Sequence, residues 1–147
     1  MKLQEIFDKV GVHLLMQGEA SVHPNDGDEE GGCAYRGVGS NGQRTCCAVG
    51  ALIADEHYTR ALESRWCGTV TVKQALHRSG ILDKFPDMYD DYSPEITLLS
   101  VLQKLHDSGE MEKNKNDFRK RMFAGLQVIA QDHGLEFNFE ESDWIDE

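Results

Sequence analysis

The chain has no apolar run that approaches the roughly 20 residues needed to cross a bilayer, and no CxxC pair among its four cysteines. It has only 15 basic residues against 26 acidic ones, a net charge of −11. Each shortage excludes something. The missing apolar run excludes a membrane helix. The missing CxxC removes the usual chelating unit of a zinc site. The shortage of Lys and Arg argues against direct nucleic-acid binding, which depends on neutralising phosphates. No HExxH, GxSxG, GxxxxGK[ST] or EF-hand loop occurs. Gly37, Gly39 and Gly42 are not read as a phosphate loop, because no strand-then-helix context surrounds them. The opening residues, MKLQEIFDKV, carry acids early and lack the apolar stretch of a signal peptide, so export is not expected. Four cysteines without an export signal imply free thiols in a reducing cytoplasm.

What is present suits a soluble, acidic domain. A chain of 147 residues can bury roughly 70% of the surface its unfolded form exposes and needs no covalent staple. Helical spacing of Leu3, Ile6, Phe7, Val10 and Leu14 predicts a helix over 3–17, with Gly18 as its stop. Residues 19–32 read as a surface loop. Thr71 and Gln74 resemble a capping box for a helix near 72–79, closed by Gly80. Ser93-Pro94-Glu95 is a cap hydroxyl, a first-turn proline and an acid near the positive end of the helix dipole. That helix is predicted to end at Gly109. Asn116-Asp117 is taken as the start of the last long helix, ended by Gly134. The final segment mixes Phe137, Phe139, Trp144 and Ile145 with six acids from Glu136 to Glu147, and its aromatic content predicts that it packs. It could face the basic cluster Lys113, Lys115, Arg119, Lys120 and Arg121. The expected fold is all-α, four to five helices in one domain, with a short β-hairpin or irregular loop around residues 33–46, a surface loop or hairpin insert over 19–45 and an acidic aromatic tail over 135–147.

The densest segment is CAYRGVGSNGQRTCCAVGALIADEHY, Cys33 to Tyr58. Asn41-Gly42 favours a tight hairpin turn, with an irregular loop as the alternative. CAVGALI suits a short buried helix. Cys47 at its start is a candidate nucleophile, because helix N–H groups lower a thiol pKa and can hold an oxyanion. Cys33 is a second candidate. His57, His77 or His106 could serve as base, with Asp107 orienting a histidine. The competing reading treats the cysteines as small buried hydrophobes. A zinc site from Cys33, Cys46 or Cys47, Cys67 and a histidine, and a Cys33–Cys46 disulfide, are further alternatives; the expectation is that no metal or other cofactor is bound. Tyr35, Arg36 and Asp55 are candidate binding residues, since a guanidinium grips carboxylate or phosphate with two bonds. The structural alternative is an Arg36–Asp55 ion pair, and it is preferred.

GGCAYRG, CCAVGALIADEHY and LLSVLQKLHD together resemble a group of small uncharacterised proteins encoded mainly by bacteriophages and prophages. The matching positions are Cys33, Tyr35, Arg36, Gly37, Cys47, Gly50, Leu52, Ile53, Asp55, Tyr58, His106 and Asp107. Cys46 and Cys67 stand outside the pattern. The resemblance implies an accessory protein that acts inside a bacterial host. Combined with the charge, it leads to the expectation of a binder, and an inhibitor, of a host or phage protein with a basic surface. A host nucleic-acid-handling or defence protein is the natural target. The alternative is a thiol-dependent enzyme using Cys47 or Cys33 with His106 or His57.

Overall fold

A computed structural model describes residues 1–22, 34–63, 65–84 and 93–146. The fold is mostly helical with one two-stranded hairpin: α1 (Leu3–Gln17), β1 (Gly37–Val38), β2 (Arg44–Thr45), α2 (Val70–Arg78), α3 (Pro94–Ser108), α4 (Lys115–His133) and α5 (Glu141–Trp144). Among the described residues no helix is long and apolar enough to cross a membrane.

The three long helices form the frame because each has one apolar stripe to bury. α1 buries Ile6, Phe7, Val10, Leu14 and Leu15. α3 buries Ile96, Leu98, Leu99 and Leu102, and α4 buries Phe118, Met122, Leu126 and Ala130. These three pack on one another, and α2 adds Val72, Ala75 and Leu76 to the same cluster. The hairpin pairs Gly37 with Thr45 and Val38 with Arg44, and Gly42 turns it with φ +80°. Gly37, Gly39 and Gly42 thus belong to a strand and its turn, where no helix follows to cradle a phosphate.

Helix boundaries show which local signals held. α3 starts as its sequence predicts, with Ser93 Oγ accepting the Ile96 N–H at 3.2 Å. α2 differs: its N-cap is Thr69, two residues before Thr71, and no side-chain cap bond forms. Its C-terminal signal holds. Gly80 takes φ +82°, and the Ile81 N–H reaches back to the Leu76 carbonyl at 2.9 Å while Ile81 packs into the core. α4 is capped by Asn114, whose Oδ1 accepts the Asp117 N–H at 2.8 Å. Asn116 is free for another task, and its amide exchanges two bonds with the Asp146 backbone. The tail therefore docks on α4 through an amide; among the described residues no ion pair joins its acids to the basic cluster. Arg121 pairs instead with Glu112, and Arg119 donates to the Leu15 carbonyl at the end of α1. Before α5 the tail is an extended arm. Phe139 meets Phe7 at 6.1 Å between centroids, and Phe137 meets Phe139 and Phe123 edge-on.

The insert is not confined to the surface. Ser21, Ala34, Tyr35 and Thr45 at its base are buried, and Thr45 Oγ1 donates to Ser21 Oγ at 3.0 Å. Cys33 and residues 23–32 lie outside the described residues, so the surface-loop reading of most of 19–32 and the Cys33 proposals do too.

Candidate functional site

From Ala34 to Leu62 the chain has little regular structure, yet much of it is buried. Buried backbone N–H and C=O groups must be paired. Here side chains supply what a ladder or helix would have supplied.

Arg36 is the centre of this arrangement. Its guanidinium donates to the Gly50 carbonyl at 2.5 Å, to the Ile53 carbonyl at 2.6 Å and to its neighbour Tyr35 O at 3.3 Å. It touches Cys46 Sγ at 3.4 Å and lies 4.9 Å from the centroid of the Tyr58 ring. The Arg36–Asp55 pair is present at 3.3 Å, and Arg44 shares the same carboxylate oxygen at 3.0 Å. Arg44 beside Asp55 holds its carboxyl below the usual range. The Arg36 side chain is only 10% exposed, and its donors are directed at the single turn Gly50–Leu52 and the backbone after it. Three of its five hydrogen-bond acceptors are backbone carbonyls, so it closes the loop from within.

Glu63 does the complementary work. Its carboxylate accepts the Tyr35 N–H at 2.9 Å and the Arg36 N–H at 3.1 Å, and it takes a bond from the Tyr58 hydroxyl. Burial, reinforced by that bond, pushes the Tyr58 phenol up to about 12. From α1, His13 Nε2 and Gln17 Nε2 both donate to the Cys46 carbonyl, at 2.8 and 3.0 Å, and Gln17 Oε1 accepts the Cys46 N–H at 2.9 Å. Burial lowers the His13 pKa below 6.5, so the ring that donates there is neutral. From α3, Gln103 Oε1 accepts the Val49 N–H at 3.1 Å.

The thiols follow the same pattern. Cys47 is 2% exposed, and its Sγ accepts the Gly50 N–H at 3.2 Å. Burial pushes this thiol up to about 12, more than the nearby N–H groups pull it down. Cys67 is equally buried and is pushed up to about 11. Both are protonated at neutral pH, and protonated thiols are poor nucleophiles. Cys46 is half-buried beside Arg36.

His106 is fully buried near the end of α3. The Ser21 N–H donates to its Nε2 at 2.8 Å, which puts the ring proton on Nδ1, where it donates to Asp107 at 3.0 Å. Both nitrogens are occupied and the ring ties the base of the insert to α3. His77 binds the Leu82 carbonyl at 2.8 Å, and His57 lies nearest Glu56 at 3.9 Å. The candidate bases thus lie in separate local contacts. Among the described residues no group of three or more His, Cys, Asp or Glu side chains is placed to hold a metal ion.

A cavity of about 350 Å³ is lined by Tyr35, Cys47, Cys67, Gln103, Asp107, Glu110, Arg65 and Trp66. Tyr35, Cys47 and Asp107, three of the candidate site residues, share it; Arg36, Asp55 and His106 are not among its lining residues. The Tyr35 hydroxyl donates to the Arg65 carbonyl, and burial drives its phenol far above the ordinary range. Gln103 Nε2 and His106 Nδ1 both hold Asp107 Oδ1, at 2.8 and 3.0 Å. Trp66 is 53% exposed at the rim.

Sequence reasoning missed Glu63, His13, Gln17, Gln103 and Trp66. Trp66 carried one available signal: a tryptophan within a short polar stretch, RWCG, outside every helical stripe. No family model, no curated protein and no solved structure matches this chain.

Proposed function

We propose that the chain is an acidic binding module that modulates, most simply by inhibition, a host protein with a basic surface. The phage-type resemblance supports action in the cytoplasm of a bacterial host. A nucleic-acid-handling or defence protein is the natural target, because such proteins carry basic surfaces to meet phosphates. A net charge of −11 steers a basic partner and speeds its encounter.

The observation that carries this reading is the occupancy of the candidate nucleophile and base. Cys47 Sγ is engaged by the Gly50 N–H and sits as a thiol in the core. His106 has Ser21 on one nitrogen and Asp107 on the other. A thiol enzyme needs a nucleophile and a base within reach of each other, and here each is committed to holding backbone or a neighbour.

The test has two arms. Iodoacetamide at neutral pH, followed by peptide mapping, is expected to label Cys47 and Cys67 far more slowly than in the unfolded chain. Calorimetry with a defined basic protein is expected to show binding at low salt that weakens steeply at high salt. One cysteine alkylating faster in the fold than in the unfolded chain, with no binding to basic proteins, would promote the enzyme reading and remove this one.

A further inference from the structure

We infer that the cleft between the Trp66 segment and the end of α3 receives one lysine or arginine side chain from the basic partner. This rests on the binding-module reading and names the place where it acts.

The size fits a side chain. About 350 Å³ lies at the lower end of ligand pockets, which run roughly 300–1,000 Å³. The charge selects a cation. Cys47 and Cys67 are neutral thiols, so among the described lining residues the charged groups are Asp107, Glu110 and Arg65, two negative and one positive. Arg65 is tied to its own segment, its Nε donating to the Ala61 carbonyl at 2.6 Å. Asp107 lies in the last turn of α3, and Glu110 in the 3₁₀ turn that follows it. A helix C-terminus carries the negative end of the dipole and favours a cation by itself.

Trp66 supplies the aromatic face. A half-exposed tryptophan fixed at a rim is a binding anchor in many interfaces. This one lies against Gly68: a Cβ there would sit 2.0 Å from the indole. The ring has room at that spot only because residue 68 has no side chain. An ammonium or guanidinium over an indole is attracted by the ring quadrupole. Asp107 is equally well set, since Gln103 and His106 orient its carboxylate and Ser21 orients His106 in turn. A residue pair so supported needs little reordering when a ligand arrives.

The experiment uses the full chain with W144F, which leaves Trp66 as the sole tryptophan. The probes are acetyl-Gly-Arg-Gly-amide, its Lys analogue and its Glu analogue. Trp66 fluorescence and its indole N–H resonance are followed by titration. The Arg and Lys peptides are expected to give saturable shifts at millimolar concentration, and the Glu peptide none. E110Q, at an exposed position that should not disturb folding, is expected to weaken binding about 5-fold, and W66L about 10-fold, where tenfold is 1.4 kcal/mol. Circular dichroism confirms that each variant is folded. Equal response to the Glu peptide, or an Arg peptide affinity unchanged by E110Q and W66L, overturns the inference. Calorimetry with hepta-arginine separates the two levels. If hepta-arginine binds while Trp66 stays silent, the cleft is wrong and the acidic module stands. If no basic probe binds even at low salt, both fail.

Discussion

Arg36→Ala tests the idea that a side chain, rather than regular secondary structure, holds the segment from Tyr35 to Asp55. The guanidinium makes two short bonds, 2.5 Å to Gly50 O and 2.6 Å to Ile53 O. Hydrogen bonds from a charged donor contribute about 1.5–3 kcal/mol each, much of it the cost of leaving a buried acceptor unpaired. Water can enter the space left by a truncated arginine and recover part of that loss, so the lower end of the range applies to each carbonyl. The stacking on Tyr58 adds roughly 0.5–1 kcal/mol. The sum is about 3–5 kcal/mol, a large share of the roughly 5–15 kcal/mol that stabilises a typical domain. Arg36→Lys keeps the charge but cannot serve both carbonyls with one ammonium, so it should lose about half as much. Asp55→Asn is the decisive control. Asp55 is 67% exposed, and an ion pair in that setting contributes little. Urea unfolding followed by circular dichroism should therefore show a large drop in midpoint for R36A, an intermediate one for R36K and almost none for D55N. If D55N falls as far as R36A, the ion pair holds the loop and the carbonyl-clamp reasoning is wrong.

Further outcomes follow from the same contacts. Thiols raised to about 12 and 11 mean that the folded state keeps two protons that the unfolded chain gives up near pH 9. Stability should thus be full below about pH 9 and fall as pH rises towards 11–12; Cys47→Ser plus Cys67→Ala should flatten that limb of a urea-midpoint profile, and an unchanged slope would count against buried thiols as its cause. His13 has the opposite sign: its lowered pKa makes the contribution complete above 6.5 and lost as pH falls below it, so H13Q should reduce the acid sensitivity of unfolding between neutral pH and pH 5. His106→Ala strands the buried Ser21 N–H and opens a cavity, with an expected loss of about 2–4 kcal/mol by denaturant unfolding; a loss under half a kcal/mol would show that α3 does not hold the insert. Gly11→Ala would place a Cβ 2.6 Å from the Phe139 ring, so the aromatic arm should lift and its amides exchange faster, at a cost of about 1–3 kcal/mol. Unchanged exchange over 135–140 would mean the arm is not seated on α1.

The long helices were readable because their signals are local and redundant. α1 has five apolar residues on one face and a glycine after its last turn, and its observed span, Leu3–Gln17, matches the periodicity. α3 has a serine cap, a proline and a glycine stop, each independent of the rest of the chain. The two errors at helix starts share a cause. Thr69 and Thr71, like Asn114 and Asn116, are pairs of equally good caps two residues apart, and tertiary packing chooses between them. In α4 the choice releases Asn116 to bind the Asp146 backbone, a contact 30 residues away that no local pattern announces.

The site was hard to read for a deeper reason. Histidine, arginine, glutamate and cysteine gathered around an irregular loop look like chemistry in a sequence, because catalytic machinery uses the same residue types. The same list is what an irregular buried loop requires for itself. Between Tyr35 and Ile53 the backbone is served by His13 and Gln17 from α1, Gln103 from α3, and Glu63, Cys47 and Arg36 from the loop and its flank. Sequence distance from residue 13 to 46 or 49 to 103 hides these bonds, so the polar residues appear unemployed and invite a catalytic role. Once they are assigned to backbone groups, the half-exposed ring of Trp66 stands out, because the core does not swallow it. A residue that the fold's own hydrogen-bond accounting does not require is a better guide to function than one whose chemistry is merely reactive in isolation.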